Sequence, residues 1–155
     1  MATETTTHAN YNDQKTSAAA RLIPTIARTL MGLIFSVFGL NGFLHFIPNH
    51  QVLSAGAMAF FGALAQTGYM LPLIFATELL AGVLLLVNRF VPLALALIAP
   101  VVVNIIAFHL FLDRPHLAGP GVIVAIAEVY LAWAYRSAFA PMLAARMTPT
   151  SSKRA

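Results

Sequence analysis

The chain has 155 residues, 59% of them hydrophobic and only 9% charged, with a mean hydropathy of +0.80. Soluble domains carry about 25% charged residues, so this composition excludes an ordinary water-facing surface and points to one integral membrane domain. The net charge of +4 comes mostly from the chain ends, which suits membrane orientation and not nucleic-acid binding, and the lack of cysteine excludes disulfides, thiolate metal sites and a dithiol relay.

Residues 1–21 are rich in Thr, Ala and Asn without an apolar period and read as a disordered cytoplasmic tail, lacking the features of a secretory signal. A first apolar span follows at 22–47 and contains Asn41 and His45. The next stretch, "QVLSAGAMAFFGALAQTGYM", has no charge but is interrupted by Gly56, Gly62 and Gly68. It predicts a short helix lying at the interface or over the mouth of a bundle. Further spans are expected at 70–87 with Glu78, at 91–112 with Asn104 and His109, and at 121–135 with Glu128. Residues 144–155 form a basic tail, and 22–143 the membrane domain. Crossing ~30 Å of hydrocarbon takes about 20 residues, so the first and third spans fit easily while the second and fourth are at the short limit.

Basic residues orient these spans. Lys15, Arg21 and Arg28 precede or begin the first, Arg89 separates the second and third, and Arg136, Arg146, Lys153 and Arg154 follow the fourth. Only Arg114 lies in the opposite connections, so both termini are expected to be cytoplasmic. Prolines 48, 72, 92, 115 and 120 punctuate the boundaries, whereas Pro100 sits inside the third span, one turn before Asn104.

Counted from the outer ends, Asn41, Glu78, Asn104 and Glu128 fall near mid-depth, and His45 and His109 lie nearer the surface. The halves also echo each other: "NGFLHF" matches "NIIAFHLF", and Glu, Arg and Pro follow in the same order after Glu78 and Glu128. This pattern predicts an all-α four-helix bundle built as two helical hairpins in parallel repeat. The two Asn–His helices would be opposite each other, as would the two Glu helices.

A membrane carboxylate costs roughly 2.5–3.5 kcal/mol on insertion scales, so both glutamates are expected to face the interior. There each would be protonated, paired with histidine, solvated or bound to a cation. Blander readings exist for the others. Asparagine serves as interhelical glue, histidine near an interface snorkels, and Asp113, four residues after His109, either orients that ring or, the favoured reading, ends the helix with Arg114. The glutamates resist such an account. Four kinds of ligand fit the six residues. Histidine and carboxylate suit a metal, although the paired Glu-x-x-His motif of di-iron bundles is absent, and opposed histidines suit haem. A quinone needs an apolar slot, a His or Asn donor and a nearby carboxylate, and membrane Glu and His also serve as proton relays.

The segments "ARTLMGLIFSVFGLNGFLHF", "AQTGYMLPLIFATELLAGVLLL", "PVVVNIIAFHLFLD" and "AIAEVYLAW" resemble the DoxX family of small bacterial four-helix membrane proteins, over about residues 27–143. That family takes its name from similarity to a subunit of an archaeal thiosulfate:quinone oxidoreductase. The resemblance implies a quinone-linked redox subunit that works with a partner, set in membrane lipid. On this expectation Asn41, His45, Asn104 and His109 bind the quinone, and Glu78 and Glu128 exchange protons. The other class of reading is a non-enzymatic scaffold or a conductor of protons or small solutes.

Overall fold

The computed structural model describes residues 2–48, 52–113 and 119–142, and these are helical with short connections. Six helices follow in order: α1 (Ala2–Leu44), α2 (Ala55–Gln66), α3 (Met70–Leu86), α4 (Val91–Phe111), α5 (Pro120–Ala134) and α6 (Arg136–Phe139). The helix carrying the first apolar segment thus begins at Ala2, and the tail expected to be disordered is helical. No Gly or Pro lies between Ala2 and Ile23, and extending an existing helix costs far less than nucleating one. The basic tail expected at 144–155 and most of the 113–120 connection lie outside the described residues.

Among the described residues, two helical segments are long and apolar enough to cross a membrane: Leu22–Leu44, with mean hydropathy 1.6, and Val91–Phe111, with 2.5. The pair α2 and α3 forms a third candidate, bent by 93° at its break, either as a broken span or as a re-entrant loop. Gly68 makes that break, with φ +74°, a left-handed conformation that a side chain would strain. Helix α5 is apolar but shorter, at 15 residues. The helices are apolar nearly all round, and large side chains such as Val103, Ile123, Val129 and Trp133 are more than 60% exposed. In water these surfaces would be a liability; against lipid they are ordinary.

Helix α1 packs on α3 and α5, and α4 packs on the same two, so the four make a closed circuit with α1 diagonal to α4 and α3 diagonal to α5. The tightest seam is α1 against α3. A Cβ on Gly39 would lie 2.6 Å from the Leu79 backbone nitrogen, and one on Gly82 would lie 2.5 Å from that of Ser36. Without a hydrophobic force between helices in lipid, such small residues gain contact by letting the backbones approach.

The core lies toward the α3–α4 turn: Met31, Phe35, Ala81, Leu85, Val91, Ala94, Leu95 and Ile98 are buried there. Asn88 takes a left-handed φ of 55°, its N–H donates to Leu85 O, and the Arg89 N–H donates to Leu84 O at 3.0 Å. This is a Schellman closure, with asparagine as the residue that tolerates the conformation. The Arg28 guanidinium reaches across from α1, donating to Leu85 O and, at 3.4 Å, to Leu86 O. It is 7% exposed. The residue that the sequence presents as a surface orientation charge is therefore a buried cap on the C-terminus of α3, where a cation also meets the negative end of the helix dipole.

Candidate functional site

At the other end of the circuit, the last turn of α4 carries His109, with Asp113 just beyond it. His109 Nδ1 lies 3.8 Å from Asp113 Oδ2, and the two side chains are 20% and 2% exposed. Asp113 also ends the helix, its N–H donating to Phe108 O at 3.1 Å. Asp113 thus ends the helix, as favoured from the sequence, and its carboxylate also stands beside the His109 ring, the alternative role. The gap is longer than a hydrogen bond, a spacing that often tightens only when a ligand is present. His109 Nδ1 is buried and makes no hydrogen bond among the described residues.

Three elements hold the imidazole in place. The start of α5 comes so close that a Cβ on Gly121 would lie 3.2 Å from His109 Cδ2 and 2.9 Å from Ile105 Cγ2. Phe108 meets the ring edge-on, with centroids 5.3 Å apart. Phe60 and Phe61 of α2 stand against Phe108 at 5.8 and 5.1 Å, forming an aromatic cluster beside the histidine. Ser54 anchors this arrangement. Its Oγ accepts from Ala57 N at 3.1 Å as the cap of α2, and its hydroxyl donates to Leu112 O at 2.5 Å. One side chain thus starts α2 and ties it to the end of α4.

The glutamates lie deeper. Glu78 is the ninth residue of α3 and Glu128 the ninth of α5. Counted about the α3–α4 turn, Glu78 stands level with about residue 99 of α4; counted from the Gly121 contact, Glu128 stands level with about residue 100. The two carboxylates share a depth on diagonal helices. Glu128 is 9% exposed, and its Oε2 is buried with no hydrogen-bond partner among the described residues. Glu78 is partly buried.

The remaining expected site residues are elsewhere, and the structure does not gather all six into one pocket. Asn41 is spent locally: its Oδ1 accepts the Ile47 N–H at 2.7 Å where α1 ends. His45 follows α1 with a φ of 53°, and it is exposed. Asn104 is exposed on the side of α4 away from the buried Ile98 and Val102. A helix apolar on every face gives no sign of which side faces its neighbours, so sequence depth alone could not separate Asn104 from His109. Among the described residues no group of three or more His, Asp or Glu could hold a metal ion.

Two open grooves run along α5. One, of about 490 Å³, lies between α1 and α5 and is lined by residues such as Ile26, Leu30, Ile34, Ile123 and Tyr130. The other lies between α4 and α5, with Ile106, Val129 and Trp133. Both are apolar and suit hydrocarbon chains. The residues that sequence reasoning missed are Ser54, Phe60, Phe61 and Phe108. Their one legible signal was the aromatic pair inside an uncharged, glycine-interrupted stretch. No protein-family model, no curated protein and no solved structure matches the chain.

Proposed function

We propose that this is a DoxX-like protein of a bacterial inner membrane, a quinone-binding redox subunit that works with a partner. In this reading α1, α3, α4 and α5 form a four-helix bundle with both termini cytoplasmic, and α2 lies over its outer mouth. The closed packing order supports two hairpins in parallel repeat. The excess of basic residues near the termini and at Arg89 supports the orientation, although Arg28 acts as a cap and counts for less.

The observation that carries the functional reading is the carboxylate-backed imidazole of His109 beside three phenylalanines. A quinone supplies two-electron, two-proton carbonyl chemistry when bound. His109 would hold a ring oxygen and carry a proton to or from it, Asp113 would fix the imidazole, and Phe60, Phe61 and Phe108 would exclude water and offer flat apolar contact. Glu128 and Glu78, between two and three helical turns deeper, would hold protons in the interior. The grooves along α5 would take an isoprenoid tail.

Native mass spectrometry of protein released gently from its own membrane tests this. Wild type is expected to carry a quinone mass, and the His109→Gln variant to lose at least nine-tenths of it. A bare wild-type mass, or a quinone retained in the variant, would overturn the reading. The Oε2 of Glu128, buried without a hydrogen bond among the described residues, favours one second reading, passage of protons along the interior. A proton flux in vesicles that Glu128→Gln abolishes, without bound quinone, would select it.

A further inference from the structure

Helix α2 is joined to the bundle differently from the other helices. At the α1–α3 seam the backbones interlock at Gly39 and Gly82, whereas a Cβ on Gly62 of α2 would meet nothing within 4 Å. The same holds at Gly68, in the break between α2 and α3. That break is finished locally on both sides. Thr67 Oγ1 donates to Leu64 O at 2.6 Å, ending α2, and accepts the Met70 N–H at 3.0 Å, opening α3. Gly68, with its φ of +74°, makes the turn between them, and nothing packs where a side chain would stand.

The ties of α2 to α4 lie toward its other end. The Ser54 hydroxyl donates to Leu112 O, a Cβ on Gly56 would lie 3.5 Å from Leu112 Cδ2, and Phe60 and Phe61 stand against Phe108. All of these fall on residues 108–112, the segment that carries His109 and leads into Asp113. There His109 Nδ1 is buried and the Asp113 side chain is 2% exposed, so the facing atoms of the pair are closed off. A hydrogen bond at a helix end and the contacts of a few rings are ties that open locally before a packed core does.

We propose that α2 is a hinged lid over the His109–Asp113 pair, pivoting at Gly68 and latched by the Ser54 hydroxyl on the Leu112 carbonyl. Pivot and latch stand at opposite ends of 12 residues, about 18 Å of helix, so a small rotation at Gly68 moves the latch furthest. Opening lifts the latch and the ring contacts together, and it leaves the circuit of α1, α3, α4 and α5 in place. The lid serves the site of the proposed function and rests on that reading only for what enters.

The chain has no cysteine, so an introduced pair locks the lid alone. A short bifunctional methanethiosulfonate joins Gly56→Cys to Leu112→Cys, and a reductant releases it. The full chain in lipid nanodiscs is then treated with diethyl pyrocarbonate, and peptide masses give the rate at His109, with the exposed His45 as internal reference. The locked protein is expected to react at His109 roughly tenfold or more slowly than the same protein after reduction, with His45 unchanged. In the otherwise natural chain, Ser54→Ala should speed His109 by about threefold. Failure of the pair to crosslink, or a His109 rate indifferent to the lock or to Ser54→Ala, would overturn the lid. Native mass spectrometry keeps the two ideas apart. Bound quinone with a His109 rate that ignores the lock refutes only the lid, whereas a slowed His109 in a protein that carries no quinone refutes only the ligand.

Discussion

Beside the α3–α4 turn, Leu85, Leu95 and Ile98 are buried in the core, and the guanidinium of Arg28 is spent on two backbone carbonyls. At the α2 end, a buried carboxylate faces an imidazole whose Nδ1 has no hydrogen bond among the described residues, beside a short helix tied to α4 through Ser54 and two phenylalanines. The two ends are built from the same four apolar helices. The difference lies in what the ionisable groups meet: the Arg28 guanidinium is bound to backbone, whereas His109 Nδ1 is buried without a hydrogen bond among the described residues, at a cost that the packed end offsets.

Substitutions should separate the two ends. The largest effect belongs to the packed one. Gly39→Leu forces carbon into the backbone of Leu79 and should destabilise the protein by about 3 kcal/mol or more, read as a collapse of thermal unfolding in detergent. An unchanged melting temperature would mean that α1 and α3 are not in close contact. Arg28→Met comes next. It removes the side-chain donor from the last carbonyls of α3, leaving Leu85 O to the Asn88 N–H, and should cost about 1–3 kcal/mol, with ligand binding at the far end intact. Equal loss of binding and stability would erase the distinction between the ends.

Effects at the α2 end should be smaller and local. Ser54→Ala removes the cap of α2 and its tie to Leu112, worth about 1 kcal/mol, and faster amide exchange should be confined to α2. Exchange that rises throughout the protein would show that α2 belongs to the core unit. Gly121→Ala is the mildest: its methyl displaces the His109 ring by a few tenths of an ångström, so binding should fall severalfold while the melting temperature barely moves.

Much of this was legible in the sequence, for reasons that can be named. The spans expected at 70–87, 91–112 and 121–135 are helices at 70–86, 91–111 and 120–134, because Pro92 and Pro120 open helices and Asn88 closes one. The first span, expected to reach 47, ends at Leu44, where Asn41 folds back on the chain and His45 turns left-handed. Direction was legible only in part. The cost of a carboxylate in lipid pointed Glu128 inward, where it is buried, but with apolar residues on all faces periodicity could not tell that Asn104 looks outward. Nor could it foresee partners distant in sequence, such as Arg28 with Leu85 or Ser54 with Leu112.

The shortness of α5 has a consequence for the membrane itself. Its 15 residues rise about 22 Å, well under the ~30 Å of a typical hydrocarbon layer. Near one end Arg136 lies 4.5 Å over the indole of Trp133 and donates to its carbonyl at 3.0 Å, an aromatic-basic pair suited to the headgroup boundary. A span so anchored cannot lengthen, so in the membrane reading the bilayer must thin around it. Hydrophobic mismatch then becomes a variable of the protein's stability, and shorter lipid chains should hold it better than long ones.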